Sequence, residues 1–131
     1  MANIDSKYFP GIAFPAEQIA DALEGAADYM DQHGWTVWNF ENNEGSVCLR
    51  GALAAVTEKD ARGFWSNPMA CAADNVMSKY LRKHGMFKEP SDDSYLESDC
   101  PAMWNNKQKD KYAVVDAMKH AAKELRNGEI S

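Results

Sequence analysis

The stretch from Pro15 to Gly34 constrains the fold of this chain more than any other segment. Its apolar residues recur at helical spacing, and its acidic residues fall mostly on the other faces of the same helix. The apolar positions are Ile19, Leu23, Ala26, Ala27 and Met30. Proline suits the first turn of a helix, because its missing N–H would have no partner there, and glycine suits the end. The pattern predicts an amphipathic helix between these two residues.

Later segments carry similar signals. The small residues of 48–56 predict a short helix in which Gly51 allows a neighbour to approach closely. Asn67 and Pro68 are an N-cap and a first helical residue, and this helix is expected to end at Gly85. The final helix is predicted to begin at an N-cap, Asp110, and to end at Gly128.

The remaining segments are less regular. Residues 35–40 are rich in β-formers and precede a turn-like stretch, so a short hairpin is expected at about 35–47. Residues 88–101 are acidic and bounded by prolines, which predicts a long loop. We therefore expect a mainly α fold, a compact orthogonal bundle of four to five helices with at most one short β-hairpin. An N-terminal arm, 1–14, either docks by its aromatic residues or stays mobile, and 15–131 form a single helical domain.

The composition indicates which compartment and which kinds of partner to expect. The three cysteines are an odd number without a Cys-x-x-Cys pair, which argues against a disulfide framework. No apolar run approaches the roughly 20 residues that cross a bilayer. We expect a cytoplasmic protein with no membrane partner. The net charge of -6 disfavours nucleic-acid binding, because the phosphate backbone is also negatively charged. Oligomeric state is left open by the sequence.

Three short motifs occur in a fixed order. They are His33-Gly34-Trp35, Cys48-Leu49-Arg50-Gly51-Ala52-Leu53 and Trp104-Asn105-Asn106. Together they resemble the domain-of-unknown-function family 6197 of bacterial and phage proteins, over roughly residues 17 to 126. The resemblance implies a helical fold and no established activity. This chain departs from the family pattern at Asn106, where Asp is usual, and over 107–110, where a different turn is usual.

In a catalytic interpretation of these motifs, Cys48 is the nucleophile and His33 is its base, since Cys–His pairs are a known catalytic unit. The alternative is an inert buried cysteine, which the flanking apolar residues favour. We assign no catalytic residue and lean against an enzyme. No metal site or cofactor is expected, because the cysteines and histidines lack the close pairing of zinc ligands.

A ligand-binding reading uses indole faces and amides, which combine stacking with hydrogen bonding. Its candidate residues are Trp35, Arg50, Trp104, Asn105 and Asn106. The alternative is structural: Trp104 and Trp35 fill the core, and the asparagines hold a turn before the last helix.

The function predicted from the sequence is a non-catalytic protein-interaction role, in a small acidic protein that could be phage-encoded and modulate a host. A protein is the expected partner. The candidate contact residues are Tyr8, Phe9, Phe14, Trp38, Trp65, Asp92 and Asp93. The alternative is a small-molecule or nucleotide-binding protein, or a minor enzyme, with a pocket around Cys48, His33 and Trp104.

Overall fold

A computed structural model describes residues 3–87 and 100–130 of the chain. Within these residues the fold is mainly α, with one two-stranded sheet. The elements are β1 (Asn3–Ser6), β2 (Phe9–Pro15), α1 (Ala16–His33), α2 (Leu49–Glu58), a 3₁₀ helix (Ala61–Ser66), α3 (Pro68–Lys83), α4 (Cys100–Asn106) and α5 (Lys111–Arg126). None of the helices in the described ranges is long and apolar enough to cross a membrane.

The predicted amphipathic helix is confirmed as α1. Its apolar stripe is fully buried and packs most extensively against α5. Both helices carry buried alanines, whose small side chains allow close packing. The chain leaves α1 at Gly34, whose φ of 101° is strained for any other residue.

The predicted helix starts are also confirmed. The Asn67 side-chain oxygen accepts a hydrogen bond from the Ala70 N–H at 3.0 Å, at the start of α3. The Asp110 carboxylate accepts from the Ala113 N–H at 3.1 Å, at the start of α5. Each cap satisfies an N–H that would otherwise lack an intrahelical partner.

The hairpin lies elsewhere than predicted. It is formed by β1 and β2, which pair antiparallel with Asn3 opposite Pro15, and it packs against α3. The expected arm therefore docks on the body, as a hairpin. Residues 34–48, the central loop, contain only isolated bridges, such as Trp35 with Val47. Strand pairing is interrupted there because Trp38 has a positive φ and side-chain amides take up backbone hydrogen bonds.

Two helical segments were not predicted. The 3₁₀ helix links α2 to α3, and its Asp60 N-cap accepts a hydrogen bond from the Arg62 N–H at 3.1 Å. Trp104, Asn105 and Asn106 lie in α4 rather than in a turn. Asp92, Asp93 and most of the expected acidic loop lie outside the described residues.

Candidate functional site

The side chain of Asn105, on α4, joins three separate segments of the chain. Its Oδ1 accepts hydrogen bonds from the Trp35 indole Nε1 at 3.0 Å and from the Leu49 N–H at 3.1 Å. Its Nδ2 donates to the Thr36 carbonyl oxygen at 3.2 Å. Because Asn105 is fully buried, each of these bonds would be costly to leave unmade. The amide thus fixes the central loop and the start of α2 against α4.

The neighbouring amide of Asn106 holds Trp38 in an unusual backbone conformation. Trp38 has a φ of 67°, in the left-handed region that bulky residues rarely adopt. Its backbone N–H donates to the Asn106 Oδ1 at 2.9 Å. Trp38 is nevertheless 70% exposed, so the strain is not offset by burial of the indole. Strain that surrounding contacts maintain is found preferentially at functional sites.

The central loop lies directly on α2 at Gly51. A Cβ at this position would fall 1.9 Å from the Phe40 carbonyl oxygen, which no real contact allows. The Cys48 N–H donates to the same carbonyl at 3.3 Å. Gly51 is therefore the close contact that the small-residue segment predicted.

These contacts leave an open cleft of about 490 Å³ between the central loop, α4 and the 3₁₀ helix. Small-ligand sites commonly occupy ~300–1,000 Å³. The walls are largely apolar and include two indoles, those of Trp38 and Trp65, which are 70% and 47% exposed. The lining residues are Trp38, Asn39, Phe40, Glu41, Cys48, Arg50, Arg62, Trp65, Ala102, Met103 and Asn106.

A buried ion pair lies at the inner end of the cleft. Arg50 Nε and Nη2 donate to the two Asp74 carboxylate oxygens at 3.0 and 3.1 Å. The guanidinium carbon lies 5.0 and 5.1 Å from the ring centroids of Phe64 and Trp65. Burial alone would lower the pKa of Arg50, but Asp74 raises it above its ordinary value. The two opposite charges make this end of the cleft polar without a net charge.

A family model matches residues 15–124, a range that contains all three motifs. The chain belongs to the family of unknown function DUF6197. No curated protein and no solved structure matches it. The DUF6197 match begins at the last residue of β2 and ends within α5, so it includes every segment that Asn105 and Asn106 connect.

The three sequence motifs converge in the structure. Trp35 from the first motif and Leu49 from the second both bind Asn105 of the third. Trp104 is 4% exposed and belongs to the core, and Trp35 packs against that core while its indole N–H meets Asn105. Of the ligand-binding candidates, only Arg50 and Asn106 line the cleft. The motif residues therefore mainly hold together the segments around the cleft, and few of their side chains line it.

The contact of Asn106 with the central loop needs only an acceptor oxygen. An Asn106 oxygen accepts the Trp38 N–H, and a carboxylate oxygen of an Asp at this position could accept the same hydrogen bond. Asp110, a few residues later, caps α5.

The catalytic candidates have separate surroundings. The Cys48 Sγ accepts a hydrogen bond from the Gly51 N–H at 3.4 Å, and burial raises the pKa of the thiol. His33 stacks on Tyr29 with ring centroids 3.9 Å apart, and its Nδ1 lies 3.0 Å from the Tyr29 carbonyl oxygen. The raised pKa disfavours the thiolate, which is the reactive form of cysteine. Among residues 3–87 and 100–130, no cluster of metal-ligating side chains occurs.

The aromatic partner-contact candidates divide into two groups. Trp38 and Trp65 line the cleft, and Tyr8 packs edge-on against Trp65 with centroids 5.0 Å apart. Phe9 is half-buried against the core, and Phe14 borders a different groove, between α1 and the start of α3.

Sequence reasoning missed Asp74, which is buried in α3 and holds Arg50. One signal was available: Asp74 is the sole acidic residue in the predicted helix that follows Asn67. An isolated acid in an apolar segment is expected to have a buried cationic partner. Phe40, Ala102 and Met103 line the cleft but carry no comparable signal.

Proposed function

We propose that this protein is a non-catalytic binding protein that recognises a protein partner through the cleft beside Trp38 and Trp65. The observation that carries the proposal is the exposed Trp38, held in a strained conformation by Asn106. An exposed indole offers a large apolar surface together with one N–H donor, and such side chains are enriched at interfaces. An apolar or aromatic side chain of the partner is the occupant that fits this surface.

The charges around the cleft support an uncharged occupant. Arg50 is matched by Asp74 at the inner end. Arg62 and Glu41 form a more exposed pair at the rim, with 3.6 Å between Nη1 and Oε1. A charged group entering the cleft would lose hydration without meeting an uncompensated opposite charge.

The chemistry of the cysteines supports a binding role over catalysis. Burial raises the pKa of the Cys48 thiol, so its reactive thiolate form is disfavoured at neutral pH. All three cysteines are buried and unpaired, which supports the cytoplasm as the compartment. Under this proposal nucleic acid is not the partner, because the chain is acidic. A host-modulating role in a phage-encoded protein is the biological form that the family resemblance suggests.

The test is selection from a displayed library of random short peptides with the purified protein as bait. We expect the selected peptides to share an apolar or aromatic anchor residue and to shift the indole NMR signals of Trp38 and Trp65. Trp38→Ala and Trp65→Ala should each abolish binding, while the matched control Tyr112→Ala, at a 60% exposed position on α5, should leave it unchanged. Selection that yields no peptide, or binding that survives both tryptophan substitutions, would contradict the proposal.

A second candidate function is small-molecule binding in the same cleft. The supporting observation is the volume of about 490 Å³, with the Asn106 amide and the Arg50 guanidinium beside apolar walls. A fragment screen monitored by the same indole signals distinguishes the two. Fragments that bind tightly while no peptide is selected would favour the small-molecule function.

A further inference from the structure

Asp74, which holds Arg50 at the inner end of the cleft, also lines a second and much smaller cavity. This cavity lies between the β-hairpin and α3 and has a volume of about 30 Å³. A single water molecule requires a cavity of ~10–15 Å³ that polar groups surround. The cavity therefore has room for one molecule of that size and not for a larger ligand.

Two buried hydroxyls border the cavity. Ser6 on β1 and Ser78 on α3 are 5% and 6% exposed. Within residues 3–87 and 100–130, the Ser6 Oγ has no hydrogen-bond partner. The Ser78 Oγ meets the Cys100 thiol, which is only a weak hydrogen-bonding group, and has no oxygen or nitrogen partner among these residues. Buried hydroxyls are almost always hydrogen-bonded, to protein or to ordered water.

Asp74, a buried acidic residue on α3, also borders the cavity. Its oxygens provide about four lone-pair positions, and the two hydrogen bonds from Arg50 occupy two of them. A buried ion pair is stable only when its remaining hydrogen-bonding positions are also satisfied. A further hydrogen-bond donor to Asp74 would therefore stabilise the buried pair.

We propose that this cavity binds one water molecule, hydrogen-bonded to the Ser6 hydroxyl, the Ser78 hydroxyl and the Asp74 carboxylate. Three partners are the usual number for a buried water. The water joins β1 to α3, which are also linked by a long hydrogen bond of 3.5 Å from the Asn75 Nδ2 to the Asp5 carbonyl oxygen. It also supports the carboxylate that positions Arg50.

The local charges favour water over a small cation in the same oxygen-lined space. Arg50 already balances the charge of Asp74. Lys7, an exposed residue that also borders the cavity, adds a further positive charge to this region, which disfavours a bound cation. A bound Na⁺ or K⁺ would leave an uncompensated positive charge in a buried site.

Oxygen-17 magnetic relaxation dispersion of the solvent counts long-lived internal waters and tests the proposal. Ser78→Val removes one hydroxyl and fills the cavity with a methyl group, so we expect the dispersion amplitude to fall by the contribution of one water. The matched control Ser66→Val, at an exposed position, should leave the amplitude unchanged. An equal amplitude in wild type and a folded Ser78→Val protein would overturn the proposal.

Two further measurements keep the test decisive. If Ser78→Val does not fold, the double variant Ser6→Ala with Ser78→Ala removes two of the three partners and should show the same loss. Unfolding midpoints in NaCl, KCl and tetramethylammonium chloride at equal ionic strength should coincide. An unfolding midpoint that is higher in NaCl or KCl than in tetramethylammonium chloride would overturn the proposal, because it would show that the cavity binds a cation.

Discussion

The two sides of this molecule are built in different ways. Where α1 packs against α5, regular helical faces bury apolar and small side chains, and exposed ion pairs border the contact. On the cleft side, an irregular loop is held by single residues, chiefly Asn105 and Gly51. The first arrangement depends on a repeated pattern, so many substitutions preserve it. The second depends on individual groups with one workable geometry.

The arginines show the same contrast. Arg126, on the α1–α5 side, contacts the carboxylates of Glu17, Asp21 and Glu24 near the surface. Its hydrogen bond to Glu17 is the main cause of its raised pKa. Arg50, on the cleft side, has Asp74 as its carboxylate partner in a nearly dry environment. Exposed ion pairs contribute little to the free energy of unfolding, because water screens the charges. Breaking a buried ion pair instead leaves an uncompensated charge in the protein interior.

The largest expected effect comes from breaking the buried pair. Asp74→Ala should lower the free energy of unfolding by about 3–5 kcal/mol, because Arg50 would remain buried without its counter-charge. Arg126→Ala should lower it by about 1 kcal/mol or less. Urea unfolding followed by circular dichroism measures both. Equal losses in the two variants would remove the distinction between the two sides.

Two helical glycines provide the next comparison. Gly51→Ala should lower the free energy of unfolding by about 3 kcal/mol, because the new Cβ would clash with the Phe40 carbonyl oxygen. A backbone atom cannot move aside without disturbing the loop around it. Gly25→Ala on α1 should stabilise the protein by about 0.4–1 kcal/mol, because its Cβ would make an ordinary 3.8 Å contact with Val56. Thermal unfolding of both variants should give shifts of opposite sign. A tolerated Gly51→Ala would contradict the close approach of the loop.

A smaller change in stability is expected at two exposed aromatic positions. The Trp38→Gly variant should have a free energy of unfolding about 1 kcal/mol higher than Trp38→Ala, because φ at this position is 67° and glycine adopts such values without strain. At Tyr112 on α5 the order should reverse, since glycine is the poorer helix former by up to ~1 kcal/mol. Denaturation of the four variants measures both differences. The same order at both positions would argue against strain at Trp38.

The smallest expected effect concerns Glu124, which ties α5 to the end of α3. Its carboxylate accepts hydrogen bonds from Lys83 Nζ at 2.8 Å and from His84 Nε2 at 2.6 Å. Burial alone would raise the pKa of Glu124, but these contacts hold it below its ordinary value of 4.5. Its contribution to stability is therefore present above that value and is lost as the pH falls through the lower pKa of the folded protein.

Glu124→Gln should consequently be less stable than wild type at neutral pH, by less than ~1 kcal/mol because the partners are partly exposed. The difference should shrink towards zero in acid. Urea unfolding over a pH series tests this expectation. A difference that does not change with pH would show that the carboxylate charge makes no contribution.

Local sequence signals were sufficient for much of the fold. The spacing of apolar residues in α1 and the caps at Asn67 and Asp110 depend on contacts within a few residues, so they are readable from the chain itself. The hairpin was misplaced because short β-rich segments acquire strand pairing only through distant partners. In residues 35–47 those hydrogen bonds go to side-chain amides of α4 instead.

The sequence by itself determined the helical class, most helix boundaries, the family and the short set of motif residues. Only the tertiary structure decided that Asn105 joins the motifs, that Trp38 is strained and exposed beside Trp65, and that Asp74 is the partner of Arg50. The physical reason is separation along the chain. Trp35 and Asn105 are 70 residues apart, and no local periodicity encodes a hydrogen bond across that distance.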